Sequence, residues 1–194
     1  MTFTNVVIPN ENVIGSISSP TPLASMITPA IQAVFGHLYL GIAEGALETA
    51  RAYTLSSSRP WVLAGHSSVT DEPYVLEAYG NHVSRLAAVA ALADAAALEL
   101  DATLDRGASL TWASRGEVAE RVAALKVVST DVALDVTSKI FEVTGARSTA
   151  NQYGFDRFWR NVRTHTLHDP VAYKRREVGL HYLTGATPDF ILYT

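Results

Sequence analysis

The stretch YVLEAYGNHVSRLAAVAALADAAALELDATL, Tyr74–Leu104, decides the fold. Along it Tyr79, Val83, Leu86, Ala90, Ala93, Ala97, Leu100 and Leu104 recur at alternating steps of four and three. That period places them on one face of an α-helix, as in the seam of an antiparallel bundle, whereas a strand would repeat every two residues. Asp71-Glu72-Pro73 suits the start of such a helix and Gly107 its close. Upstream, a helical pattern runs from about Leu23 to Leu55 with Ile31, Phe35, Leu38 and Ile42 on one face, and Pro29 restarts or kinks its first turns. Downstream, Ser114 and Glu117 form a candidate capping box for a third helix reaching Thr144, with Val118, Val122, Leu125, Val132, Val136, Ile140 and Val143 on its buried side. Gly145 ends that helix. A fourth begins near Phe155 or Asp156, and Pro170, lacking an amide donor, bends or divides it. The expected fold is all-α, predominantly a four-helix bundle.

The N-terminus reads differently. Thr2–Ile8, TFTNVVI, is rich in β-branched residues and predicts a short strand closed by Pro9, Asn10 and Gly15. One strand cannot stand alone, so residues 1–20 are read as the end of a sheet plus a Ser/Pro-rich linker, Ser16–Pro22, and residues 21–194 as the helical domain.

Bulk properties narrow the chemistry. A chain of 194 residues, 48% of them apolar, suffices for one domain with a substantial core, and the net charge of −4 gives no reason to seek a nucleic acid or an anionic membrane. Without cysteine there is no disulfide framework, thiolate metal site or cysteine nucleophile, which fits a cytoplasmic protein. No secretory signal pattern opens the chain, and the alanine-rich stretches are expected to be broken by charges before they reach membrane-spanning length. Their small side chains suggest helices in close approach or an oligomer interface.

The densest functional segment is GARSTANQYGFDRFWRNVRTHTLHDP, Gly145–Pro170. His165 and His168, three apart, share a helix face unless the helix is interrupted. Two histidines without a clear third ligand do not make a metal site, and no metal is expected. Packed core imidazoles are one reading of the pair; groups that exchange a proton or donate a hydrogen bond near neutral pH are the other. Asp169 either orients an imidazole or caps the next helix. Arg157, Arg160 and Arg163, with Arg147 after the turn glycine, are forks for phosphate or else solvated and ion-paired surface groups. Phe155, Phe158 and Trp159 read as core. Ser148 and Thr149 lack a base-and-acid constellation for nucleophilic catalysis.

VTGARSTANQYGFDRFWRNVRTHTLHDP resembles the glycine turn, Arg-rich helix and active-site segment of acyl-CoA-dehydrogenase-like chains, in the flavin-dependent monooxygenase branch that oxidises dibenzothiophene-type sulfur compounds. FTNVVIPNENVIG resembles the last strand and exit of that family's middle β-domain. Where the dehydrogenases carry a catalytic glutamate this sequence has His168-Asp169-Pro170, which resembles the His-containing site of the monooxygenases. The resemblance implies His168 as catalytic, with His165 its neighbour, and Arg59, Ala146, Arg147 and Ser148 near flavin held mainly by another subunit. It implies reduced FMN supplied by a separate flavin reductase, oxygen transfer to a small aromatic organosulfur substrate, and a homotetramer. The family's front helical domain and most of its β-domain are missing from this chain, so the parent would be the enzyme and this its C-terminal portion. An FAD-dependent acyl-CoA dehydrogenase portion, or a noncatalytic helical assembly module, are the alternatives.

Overall fold

A computed structural model describes residues 1–13 and 20–194; Gly15 and most of the Ser16–Pro22 linker lie outside the described residues. A single turn, Pro22–Ser25, capped by the Thr21 hydroxyl accepting from the Ala24 amide at 3.1 Å, leads into α1, Ile27–Ser57. There follow α2 (Pro73–Leu104), α3 (Trp112–Thr144), α4 (Asp156–Thr166) and α5 (Val171–Thr184). The first three, each over thirty residues, form the body of the bundle, and α3 packs against all four others.

The α3 face is buried as its pattern predicts: Val118, Val122, Leu125, Val132, Val136, Ile140 and Val143 are all in the core. Its start differs. Thr111, not Ser114, is the cap, its hydroxyl accepting from the Ser114 amide at 3.2 Å, so the helix begins at Trp112. On α2 the buried residues are His82, Leu86, Val89, Ala93, Ala96, Leu100 and Thr103. This is the expected four-three repeat turned by one residue on half its positions: Leu86, Ala93 and Leu100 hold, but Val83 is 55% exposed. The polar side chains of His82 and Thr103 hid the true seam.

On α1 the expected face is also turned. Ile31 and Leu38 are exposed, while Ala33, Ala43, Ala46 and Ala50 are buried. Small residues lie inward because α1 and α3 approach closely: a Cβ on Gly36 would lie 2.7 Å from Leu125 Cγ. Between Pro22 and Ala43 there is no Asp, Glu, Lys or Arg, so Pro22–Ser57 is long and apolar enough to cross a membrane, contrary to the expectation of interrupting charges. Half of its most apolar window is buried within the bundle, as in a core helix.

Residues 1–13 form no strand; they are exposed, with one 3-10 turn at Asn10–Asn12. Among the described residues no sheet offers their backbone a partner, and β-branched composition cannot replace one. Pro170 divides the last helix into α4 and α5, as expected.

Candidate functional site

The break between α4 and α5 is the most chemically constrained part of the molecule. Thr166 ends α4 and Val171 begins α5, and in the Leu167–Pro170 turn between them Leu167, His168 and Pro170 are exposed while Asp169 is buried. What fixes the turn is Asp169. Its carboxylate, 6% exposed, accepts from Gln32 Nε2 of α1 at 2.8 Å and forms an ion pair with Lys126 of α3, itself 1% exposed. Burial alone would raise the Asp169 pKa, but the hydrogen bonds from Lys126 and Gln32 outweigh it and hold the carboxyl below its usual range. Asp169 therefore neither orients an imidazole nor caps α5; it ties the break to the two long helices.

The two histidines separate at this break. His165, half-buried on α4, shares a 2.8 Å hydrogen bond between Nδ1 and the Tyr39 hydroxyl and meets the Phe35 ring edge-on at 4.4 Å between centroids. Burial, then repulsion from the neighbouring His168 and Lys126, disfavours its charged form and lowers its pKa. Burial, reinforced by Asp169, raises the Tyr39 pKa to about 12, which keeps the phenol protonated. His168 is exposed instead, its ring 6.1 Å from that of His165, and it lines a cavity of about 520 Å³ between α5 and the segment after it. Packing thus accounts for His165 and leaves His168 available to a ligand.

Arg59, Ala146 and Arg147 come together elsewhere. They line a cavity of about 470 Å³ formed by the end of α1, the start of α2 and the Gly145 turn, with Tyr53, Trp61 and Glu72. Gly145, at φ +76°, makes the turn that presents Ala146 and Arg147, a backbone region that disfavours other residues. Both arginines are exposed, and neither is in an ion pair among the described residues. Two free guanidinium forks on one cavity can hold a phosphate. Ser148 does not face it: fully buried, its hydroxyl donates to the Gly145 carbonyl at 2.7 Å and lies 2.7 Å from Thr144 Oγ1. Of the other arginines, Arg160 pairs with Asp156 at 3.1 Å and Arg157 lies over the Phe158 ring at 4.9 Å.

These two cavities are not one site. From Tyr39 to Ser57 along α1, or from Lys126 to Thr144 along α3, the rise is about 27 Å at ~1.5 Å per residue. One mononucleotide cannot touch His168 and Arg59 of the same copy.

Sequence reasoning missed Lys126, Gln32 and Tyr39. Lys126 carried a signal, since it stands four residues after Val122 on the apolar side of α3, where a lysine must find a buried partner.

Comparison with known proteins agrees with this architecture. The chain is 46% identical to dibenzothiophene monooxygenase of Mycolicibacterium goodii over 192 residues, 96% of this chain and 46% of that protein. Among solved structures, methanesulfinate monooxygenase from Pseudomonas fluorescens superposes with a TM-score of 0.88 at 42% identity, over 90% of this chain and 45% of its own. TdsC from Paenibacillus sp. A11-2, in complex with FMN and indole, gives 0.86 at 46%, over 89% of this chain and 43% of its own. The chain thus spans less than half the length of these relatives. The family profile for the acyl-CoA dehydrogenase C-terminal domain matches residues 33–172, and the chain belongs to that family.

Proposed function

We propose that this chain is the C-terminal helical portion of a reduced-FMN-dependent monooxygenase that oxidises a small aromatic organosulfur compound. The observation that carries the reading is the state of Asp169. A dehydrogenase needs a carboxylate free to take a substrate proton, and the one carboxylate in the helix break is engaged by Lys126 and Gln32 and held at low pKa, a poor base. The exposed group there is His168, suited to giving or sharing a proton with an oxygen atom.

Reduced FMN, when bound, supplies two electrons and two protons, so that one atom of O₂ joins the sulfur and the other leaves as water. The residues of this chain do the rest. Arg59 and Arg147 would hold the phosphate of a flavin, with Ala146 beside it, and His168 would hydrogen-bond the reacting oxygen. Because those groups lie about 27 Å apart by helix rise, each flavin site takes Arg59 and Arg147 from one copy and His168 from another, which supports a homo-oligomer, a tetramer by family resemblance. Residues 1–20 then belong to the end of a preceding β-domain and its linker, the reductant comes from a separate flavin reductase, and the protein works in the cytoplasm.

The test uses the complete enzyme with a flavin reductase, FMN, dibenzothiophene and ¹⁸O₂. Sulfoxide carrying one labelled oxygen is the expected product. Flavin reduction by acyl-CoA, with no sulfoxide, would move the assignment to the dehydrogenase branch.

A further inference from the structure

The ten residues after α5 are built into the molecule. Gly185, at φ +72°, turns the chain back, and the Ala186 carbonyl lies 3.2 Å from His181 Nδ1. Thr187 sits on Gly116 of α3, where any Cβ would lie 2.5 Å from its methyl, so the glycine makes its seat. Phe190 lies 5.5 Å from the Arg115 guanidinium and 6.4 Å from the Trp112 ring. At the far end two cations, 1% and 4% exposed, hold successive main-chain oxygens: Lys174 donates to Tyr193 and Arg115 to Thr194. Buried cations are costly unless well partnered, and here backbone of the returning segment is a principal partner of both.

This strap forms one wall of the His168 cavity. Tyr173, Arg176 and Leu180 of α5 face it, Ile191 and Tyr193 belong to the strap, and the Tyr193 ring stands 6.5 Å from that of His168 at 62°. Tyr193 is half exposed, and the bond from Lys174 to its main-chain oxygen fixes the backbone from which its ring projects beside His168.

We infer that Tyr193, positioned by Lys174 and Arg115, is the specificity-determining wall of the His168 cavity, where it stacks a flat apolar ring system and directs its heteroatom toward His168. The inference rests on the proposed oxygenation only for the identity of the heteroatom, sulfur. A volume of about 520 Å³ suits a fused-ring compound. Two aromatic side chains, Tyr173 and Tyr193, with Ile191 and Leu180 supply the apolar contact that such a ring requires.

The test is binding without flavin, using the 194-residue chain and dibenzothiophene followed by its own fluorescence, with indole as a second probe followed by NMR. Saturable binding is expected, with cross-relaxation between probe protons and the Tyr193 ring and a ring-current shift at His168 Cε1. Tyr193→Ala should weaken it about tenfold and Tyr193→Phe about twofold or less. Lys174→Met should weaken binding as Tyr193→Ala does; if it unfolds the chain, the Tyr193 cross-relaxation in the unaltered protein decides. Absence of saturable binding, absence of that cross-relaxation, or unchanged affinity in a folded Tyr193→Ala chain each overturns the assignment. The two readings fail separately. Ring binding against Tyr193 in a parent that makes no sulfoxide removes the oxygenation and keeps the wall, whereas labelled sulfoxide from a parent indifferent to Tyr193→Ala does the reverse.

Discussion

Lys126 on α3 and Asp169 in the break between α4 and α5 meet as a buried ion pair, 43 residues apart in sequence, with Gln32 of α1 donating to the same carboxylate oxygen. Three elements of the bundle thus converge on one atom. Breaking a buried pair leaves a charge without a partner, so Lys126→Met should cost about 3–5 kcal/mol in urea denaturation at pH 7. The Asp169 pKa is depressed on folding, so its contribution is present above the unfolded value near 3.8 and is lost as pH falls through the folded one. Parent and variant should therefore converge in stability as pH drops below about 4. A gap that stays constant would show that the pair contributes little and that the variant fails by packing.

Glu120 on α3 gives the opposite sign. It is 6% exposed, neither carboxylate oxygen has a hydrogen-bond partner, and burial pushes its pKa up. A raised carboxyl contributes stability below its unfolded pKa and loses it as pH rises through the folded one. Glu120→Gln removes the charge at similar volume, so it should raise stability at pH 7 by on the order of 1 kcal/mol, with the gain fading toward pH 4. Melting curves at the two pH values check this; a variant less stable than the parent at pH 7 would mean that the carboxylate has a favourable role there.

His168→Ala in the complete enzyme should keep the fold, since the side chain is exposed, and should reduce oxygen transfer about 100- to 10,000-fold. Reduced flavin would still consume oxygen, with more of it leaving as hydrogen peroxide. Sulfoxide and peroxide measured together decide the matter: unchanged yield and rate would remove His168 from the chemistry. His165→Ala should act through stability, because its ring is packed between Phe35 and Tyr39.

The outer face of α1 carries Ile27, Ile31, Val34 and Leu38 at 43–64% exposure, spaced four, three and four. Such a stripe fits a second copy of the same chain. Sedimentation should show self-association at micromolar concentration, and Val34→Glu should shift it to monomer without lowering the melting temperature by more than a few degrees. Monomer throughout for the parent would leave the stripe without the partner argued for.

Much of this architecture was legible in the sequence for identifiable reasons. The α3 face, the Gly145 terminus and the division at Pro170 each follow from one dominant local rule: apolar period, positive φ or a missing amide. The α1 and α2 faces were misread where tertiary contact overrode residue size, with alanines inward for close approach and His82 and Thr103 standing in the seam. The strand at Thr2–Ile8 failed because strand formation needs a partner that composition does not supply. For the candidate site, family resemblance pointed to His168, Arg59 and Arg147, which the fold places on two separate cavities, while the Lys126–Asp169–Gln32 link stayed hidden because it joins residues up to 137 apart.

The length of α1 has a genetic consequence. With the arginine cavity at one end of the bundle and His168 at the other, Arg59→Ala and His168→Ala would damage different halves of the composite centre proposed above. Two inactive chains bearing one change each, co-expressed so that they assemble together, should regenerate a wild-type centre wherever the intact half of one meets the intact half of the other. A chain bearing both changes should be rescued by neither. Complementation between dead alleles would thus report the geometry of assembly from activity alone.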